Sequence, residues 1–307
     1  MPISPDLVGV AKRELKNFDI IHLHSLRTIQ NVIIHHYAKK YRIPYVLQLH
    51  GIASWRNRFR LQGAFDTFFK SSLIGDASRI IALSNFMAKI IGLDWNKVVV
   101  VPNGIDLPVK GSIPEGAFKE KFGIESRYMV LYVGRVGMDK GLDFLVKSFS
   151  LLTRDMTDVS LVIVGPDDGY LKRLQMLVNE LNLQDRVTFT GFLNSEEISA
   201  AYSDADVLVD PKPMEEFGLT PFEAILCSTP AIVVEGNGCA EWLSKCNWKY
   251  FVKFNDLDGL KDLCLRLFRG VEKERLEAAR EWIIQNLSWE RVVERLESVY
   301  FDICGSS

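Results

Sequence analysis

The chain has 307 residues, 48% hydrophobic and 25% charged, which is the composition of a globular protein and excludes disordered, collagen-like and coiled-coil chains. At roughly 150 residues per domain it is long enough for two domains, and no apolar run approaches the ~20 residues that span a bilayer. The net charge of −2 is unevenly spread: residues 1–107 carry 14 Lys and Arg against 7 Asp and Glu (+7), and residues 108–307 carry 23 against 32 (−9).

In chain order, the start Met1-Pro2-Ile3-Ser4-Pro5-Asp6 has no basic n-region before an apolar stretch, so no signal peptide is read. Apolar, β-branched runs predict strands at 19–24, 44–49, 79–83 and 98–101, with helices at 27–40, 62–74 and 85–92. After Asp106, Pro108, Gly111, Pro114 and Gly116 mark the best linker candidate. The pattern restarts with strands at 128–133, 160–164, 186–190, 205–209 and 231–234. Helices are expected at 140–153, 169–182, 195–203, 221–227 and 240–246. The tail from 256 to 303 reads as helix, with Gly270 and Ser288 as breaks. Near-continuous Val/Ile/Leu strands separated by helices mean buried parallel strands in βαβ units. The expected fold is α/β, two Rossmann-like domains in tandem: residues 1–107, then 108–286, with a C-terminal helix at 287–307 packing back on the first. In such sheets ligands bind where strands end and helices begin.

The five cysteines, Cys227, Cys239, Cys246, Cys264 and Cys304, are odd in number and lack CxxC spacing. They read as reduced thiols of a cytoplasmic protein. The basic half is expected to meet something anionic, such as phospholipid, a phosphorylated acceptor or nucleic acid; the other reading is a docking surface between oppositely charged halves.

Two loops carry the chemistry. Gly134-Arg135-Val136-Gly137-Met138-Asp139-Lys140-Gly141 follows a strand and precedes a helix. Its glycines allow close backbone approach, and Arg135 and Lys140 suit a diphosphate; the plainer reading makes Asp139 an N-cap and leaves both cations solvated. Asp210-Pro211-Lys212-Pro213-Met214-Glu215-Glu216-Phe217-Gly218-Leu219-Thr220-Pro221-Phe222-Glu223 follows another strand. Thr220-Pro221-Phe222-Glu223 also reads as a capping box, with Glu223 at N3. Glu215 and Glu216 have no such local role, and their carboxylates could accept hydrogen bonds from sugar hydroxyls. Asp204-Ala205-Asp206 starts a strand, at the wrong end for a nucleotide site. His22 and His24 share a strand face but lack a third metal ligand nearby in sequence. His35 and His36 are expected at a helix surface.

Gly134-Arg135 with Lys140-Gly141, then Glu215 and Glu223 seven residues apart around Phe217-Gly218-Leu219, resemble the nucleotide-sugar half of glycosyltransferase family 4. Further pieces fall in that family's order: Asp19-Ile20-Ile21-His22-Leu23-His24, His50-Gly51, Val101-Pro102-Asn103-Gly104-Ile105-Asp106, Gly191, Ser228-Thr229-Pro230, Gly238 and Glu241. The resemblance implies the GT-B fold, with two Rossmann-like domains facing across a cleft, and a retaining transferase using an NDP-sugar donor. It implies that Arg135 and Lys140 neutralise the diphosphate, that Glu223 binds ribose, and that Glu215 binds the donor sugar. Gly134 and Thr220 also belong to the donor site, with the backbone N–H groups of Phe217, Gly218 and Leu219. His50 would face the donor sugar from the first domain. His24, Asn103, Arg56 and Arg58 are acceptor-side candidates. No metal and no cofactor are implied.

The chain departs from the family at Ser228, where Gly is usual, and at Lys212, where Ser is usual. Its front resembles the middle of the family's first domain, so that domain is expected to be shortened, with an exposed sheet edge. Two readings follow: an active glycosyltransferase, or else a truncated or non-catalytic chain or a subunit that needs a partner to complete its first domain. A sugar-nucleotide epimerase fits less well, because the Glu215–Glu223 spacing belongs to transferases. Trp55-Arg56-Asn57-Arg58-Phe59-Arg60 with Phe65, Phe68, Phe69 and Lys70 interleaves cations and aromatics, which suits an anionic membrane surface. Alternatively, Phe65, Phe68 and Phe69 face the core and leave only the arginines outside. The expected partners are an NDP-sugar, a glycan or lipid-linked acceptor and peripheral membrane, and not nucleic acid.

Overall fold

The computed structural model describes residues 6–51, 65–106, 116–270 and 273–305. Two compact units emerge, one of residues up to Asn103 together with Glu290 onward, the other Gly104–Trp289. The linker candidate at 107–115 lies outside the described residues. No helix among the described residues is long and apolar enough to cross a membrane.

The first unit contains α1 (Leu7–Glu14), β1 (Ile21–His24), α2 (Ile29–Tyr41), β2 (Tyr45–Gln48), α3 (Ser71–Gly75), β3 (Arg79–Ala82), α4 (Asn85–Ile91) and β4 (Val98–Val100). All strands are parallel, in the order β1-β2-β3-β4. Helix starts are set locally: the Thr28 hydroxyl accepts from the Asn31 N–H at 3.1 Å, and Ser84 accepts from the Met87 N–H at 3.2 Å. Such caps satisfy N–H groups that a helix cannot pair internally. Val46, Ile81 and Val101 form a buried cluster with Val292 and Val299 of the C-terminal helix, Trp289–Cys304. Each buried aliphatic side chain contributes about 1.5–3 kcal/mol, which is what holds that helix in the unit.

The second unit contains α5 (Ala117–Phe122), β5 (Tyr128–Val133), α6 (Leu142–Asp155), β6 (Val159–Val164), α7 (Leu171–Glu180), β7 (Val187–Gly191), α8 (Ser195–Asp204), β8 (Val207–Asp210), α9 (Thr220–Leu226), β9 (Ala231–Val234), α10 (Gly238–Ser244), β10 (Phe251–Val252), α11 (Leu257–Phe268) and α12 (Lys273–Leu287). Its six parallel strands run β10-β9-β8-β5-β6-β7. From β5 the chain winds outward to β6 and β7, then returns to β8 on the other side and winds outward to β10. The connections from β5 and β8 therefore run off in opposite directions, and a crevice opens at the carboxyl ends of these two strands.

The breaks expected at Gly270 and Ser288 coincide with the ends of α11 and α12. Helix α5 and strand β10 are additions; β10 has two residues, too few for any periodicity to show. The Asp204-Ala205-Asp206 motif is structural. Asp204 accepts from the N–H groups of Gly116, Phe118 and Lys119 at 2.7, 2.8 and 3.1 Å, pinning the start of α5, and Asp206 accepts from Met129 N–H at 2.8 Å.

Candidate functional site

Both chemistry-bearing loops of the second unit lie at the crevice between β5 and β8. After β5, the chain stays zipped to the loop after β6: Gly134 N–H donates to Val164 O at 2.9 Å, Val136 N–H to Pro166 O at 2.9 Å and Asp168 N–H to Val136 O at 3.0 Å. Tyr132 lies under this loop and its hydroxyl donates to Arg135 O at 2.9 Å. A Cβ at Gly134 would sit 2.7 Å from that hydroxyl, so a side chain there would have to push the Tyr132 ring aside.

Arg135 is exposed and pairs with Asp168. Lys140 ends a 3₁₀ turn, Met138–Lys140, and is half-buried. Among the described residues it forms no ion pair, and its ammonium helps stabilise the Asp210 carboxylate. Gly141 (φ +71°) separates that turn from α6. A Cβ here would meet Pro211 O at 2.2 Å, so this glycine lets the two loops approach backbone to backbone.

The loop after β8 is closed by its own polar groups. Lys212 lies 3.1 Å from Glu215 Oε2 and 3.0 Å from Glu216 Oε2. Burial alone would lower the Lys212 pKa, but the two carboxylates outweigh it and hold it above the ordinary value. Asp210 is buried; that burial, then the Glu215 charge, pushes its carboxyl well above the usual range. Asn237 caps α10 by accepting from Ala240 N–H at 2.9 Å and donates to Lys212 O at 3.0 Å. Gly238 N–H donates to Glu215 O at 2.7 Å. Phe217 is buried, stacked on Phe222 with centroids 5.0 Å apart. Gly218 (φ +71°) turns the chain past Glu215, whose Cγ a Cβ would meet at 2.9 Å. Leu219 is exposed and Thr220 half-buried.

The capping box expected at Thr220 does not form. Helix α9 begins one residue earlier than that motif requires, with Leu219 at the N-cap, no side-chain cap, and Pro221 at its second position. Glu223 instead accepts from the Tyr202 hydroxyl at 2.7 Å. Burial, and secondarily the Asp106 charge, raises its pKa although the Tyr202 hydrogen bond opposes the shift.

In the first unit His24 and His50 meet at the carboxyl ends of β1 and β2, with Nδ1 of His24 2.7 Å from Nε2 of His50. The His22 ring stacks on His24 at 4.2 Å, and its Nδ1 is 2.5 Å from the Tyr300 hydroxyl. Burial, followed by the charges of His24 and His50, lowers His22 to about 4; burial and His24 lower His50. Among the described residues no three His, Cys, Asp or Glu side chains are grouped to hold a metal ion. Asn103 is half-buried beyond β4. His35 is not a free surface residue, since Nε2 lies 2.9 Å from Asp76 Oδ2. Arg56 and Arg58, with Trp55, Phe59 and Arg60, lie outside the described residues. Phe68 and Phe69 face outward at 72% and 37% exposure, against the reading that buries them, and Phe65 is half-buried.

Tyr132, Asp168, Tyr202, Asp210 and Asn237 are site residues that the sequence does not single out. Lys212 carries a local signal, since Glu215 and Glu216 follow it at i+3 and i+4; Asp210 and Tyr132 end or border the strands that lead into the two loops, and Asp168, Tyr202 and Asn237 come from elsewhere in the chain.

Residues 1–108 match the family described as Glycosyltransferase Family 4. N-acetyl-alpha-D-glucosaminyl L-malate synthase of Bacillus anthracis is 27% identical, over 99% of this chain and 79% of that protein. A glycosyltransferase structure from Rickettsia africae aligns with TM-score 0.81 at 22% identity, over 100% of this chain and 85% of that one. Anabaena HepE in complex with UDP aligns with TM-score 0.79 at 19% identity, covering 97% and 82%. These two parallel-sheet, Rossmann-like units are thus those of the GT-B glycosyltransferase structures. Residues 115–289, more than half of the chain, match the family described as glycosyl transferases group 1, and the chain belongs to that family.

Proposed function

We propose that this glycosyltransferase moves a sugar from a nucleoside diphosphate sugar to an acceptor hydroxyl, with retained configuration and without a metal ion. The observation that carries this reading is the gathering of Lys140, Arg135, Glu215 and Glu223 around one switch point of the sheet edge. Lys140 and Arg135 neutralise the diphosphate, Glu223 takes the ribose hydroxyls, and Glu215 takes hydroxyls of the sugar. The bond from the sugar C1 to the β-phosphate oxygen breaks, the acceptor oxygen bonds C1 on the same face, and the acceptor proton is released. Negative charge grows on the leaving phosphate, so cations already held there favour the transition state over the ground state. Arg135 serves by exchanging its Asp168 partner for phosphate. HepE, solved with UDP, and the Bacillus anthracis synthase, named for a glucosaminyl product, agree with this donor class.

The acceptor is lipid-linked or phosphate-bearing, reached by a cytoplasmic enzyme that visits anionic membrane. Support comes from the +7 charge of residues 1–107 and from the outward Phe68 and Phe69. On this reading His24 and Asn103 serve the acceptor side, as Arg56 and Arg58 are expected to do from the sequence, and His50 faces the donor sugar. The test is release of nucleoside diphosphate from a panel of NDP-sugars, with the product anomer read by proton NMR. Turnover that survives EDTA and keeps the donor's anomeric configuration is expected; loss on chelation restored by Mg²⁺ or Mn²⁺, or an inverted product, contradicts it.

A further inference from the structure

We infer that Lys212 is a positioning residue for Glu215 and thereby sets the affinity for the sugar half of the donor. This rests on the reading of Glu215 as a donor-sugar contact.

The Glu215 carboxylate is held at both oxygens. Oε2 lies 3.1 Å from Lys212 Nζ, while Oε1 accepts from Glu216 N–H at 3.0 Å and Phe217 N–H at 3.5 Å. Both ends of the ion pair are mostly buried, 11% and 13% exposed, so the attraction is poorly screened. The same ammonium binds Glu216 Oε2 at 3.0 Å. One cation therefore holds two adjacent carboxylates, with the enclosed Asp210 carboxyl next to them.

The backbone of this loop does not need the lysine side chain. Lys212 N–H donates to Asp210 Oδ1 at 3.2 Å, Lys212 O accepts from Asn237 at 3.0 Å, and Gly238 closes onto Glu215 O at 2.7 Å. Removing the ammonium leaves those bonds in place and takes away the charge that holds Glu215 Oε2 and Glu216 Oε2. Glu215 and Glu216 then repel, and one of them swings outward or takes a proton. A carboxylate that orients sugar hydroxyls must stay within about 0.5 Å of its working position. The free diphosphate, held by Lys140 and Arg135, makes no use of Glu215.

The test compares a nucleotide sugar with its own free diphosphate by calorimetry. The probe is whichever of UDP-, GDP- and ADP-glucose stabilises the wild-type chain most. Lys212→Met is expected to bind the free diphosphate within about twofold of wild type and the nucleotide sugar about tenfold more weakly, the scale of a lost charge-assisted hydrogen bond. Lys212→Arg restores most of the difference, and Glu216→Gln added to Lys212→Met restores part of it by removing the like charge. Lys212→Met that binds both ligands as wild type does, or that weakens both equally, overturns the inference. Glu215→Gln separates the two readings: if it leaves the sugar's contribution intact, Glu215 is no sugar contact, whatever Lys212 does. A wild-type chain that gains nothing from the sugar half refutes both.

Discussion

Replacing Glu223 by Gln separates binding from scaffolding at the site. The side chain keeps its shape and loses its charge. Glu223 Oε2 accepts from Tyr202 at 2.7 Å, and among the described residues Oε1 has no protein donor. A ribose hydroxyl donating to an ionised acceptor gains about 1.5–3 kcal/mol, against about 1 kcal/mol to a neutral one. For two hydroxyls the substitution should cost about 1–4 kcal/mol, a loss of nucleotide affinity of roughly 5-fold to several hundred-fold. Stability should move the other way. Because burial raises the Glu223 pKa, the ionised group costs stability once the pH passes the ordinary carboxylate value and rises through the raised one. Glutamine has no such cost and can still accept from Tyr202. The variant should therefore melt at or above the wild-type Tm at neutral pH, with that advantage fading below about pH 4. Calorimetric titration with UDP, paired with thermal melts at several pH values, reads both quantities. Unchanged UDP affinity together with a lowered Tm would refute the ribose role and make Glu223 a scaffold residue.

Lys140→Ala should weaken nucleoside diphosphate binding more than Arg135→Ala, by about 2–5 kcal/mol against about 1 kcal/mol, because Arg135 is exposed and already paired with Asp168; equal binding of UDP by both variants and wild type would remove this loop from the site. Gly141→Ala sets a Cβ 2.2 Å from Pro211 O at φ +71°, so it should cost 2 kcal/mol or more, seen as a Tm fall of roughly 4 °C or more; an unchanged Tm would show that the two loops do not meet. His22 has its folded pKa lowered to about 4, so its contribution is present above about pH 6.5 and is lost as the pH falls towards 4. His22→Gln should flatten that part of the acid unfolding curve; a curve identical to wild type would contradict a buried neutral ring. Arg56, Arg58 and Arg60 all changed to Glu should abolish co-sedimentation with anionic liposomes at low salt; equal binding by both proteins, or binding by neither, would favour a soluble acceptor.

Most of the fold was legible because buried parallel strands announce themselves as Val/Ile/Leu runs, and β2, β8 and β9 are buried at all four positions. The two loops of the site were legible because Gly, Arg, Lys and Glu at a strand's end have few structural uses. Local reasoning failed at Thr220, where the motif for a cap was intact but the chain had already turned helical at Leu219, leaving Glu223 to Tyr202. It also failed for Asp168 and Tyr202, which reach Arg135 and Glu223 from 33 and 21 residues away. Phe68 and Phe69 show the limit of periodicity, since helical spacing fixes which residues share a face and not whether that face is covered.

On the proposed function, the crevice between β5 and β8 binds a nucleoside diphosphate sugar. Calorimetric titration of UDP, GDP and ADP into the wild-type chain and into a Lys140→Ala, Glu223→Gln double variant tests it most directly. Saturable binding of at least one of the three by the wild type, lost in the folded double variant, is the expected result. Binding of the same strength to both proteins, or of none of the three to the wild type, would contradict it.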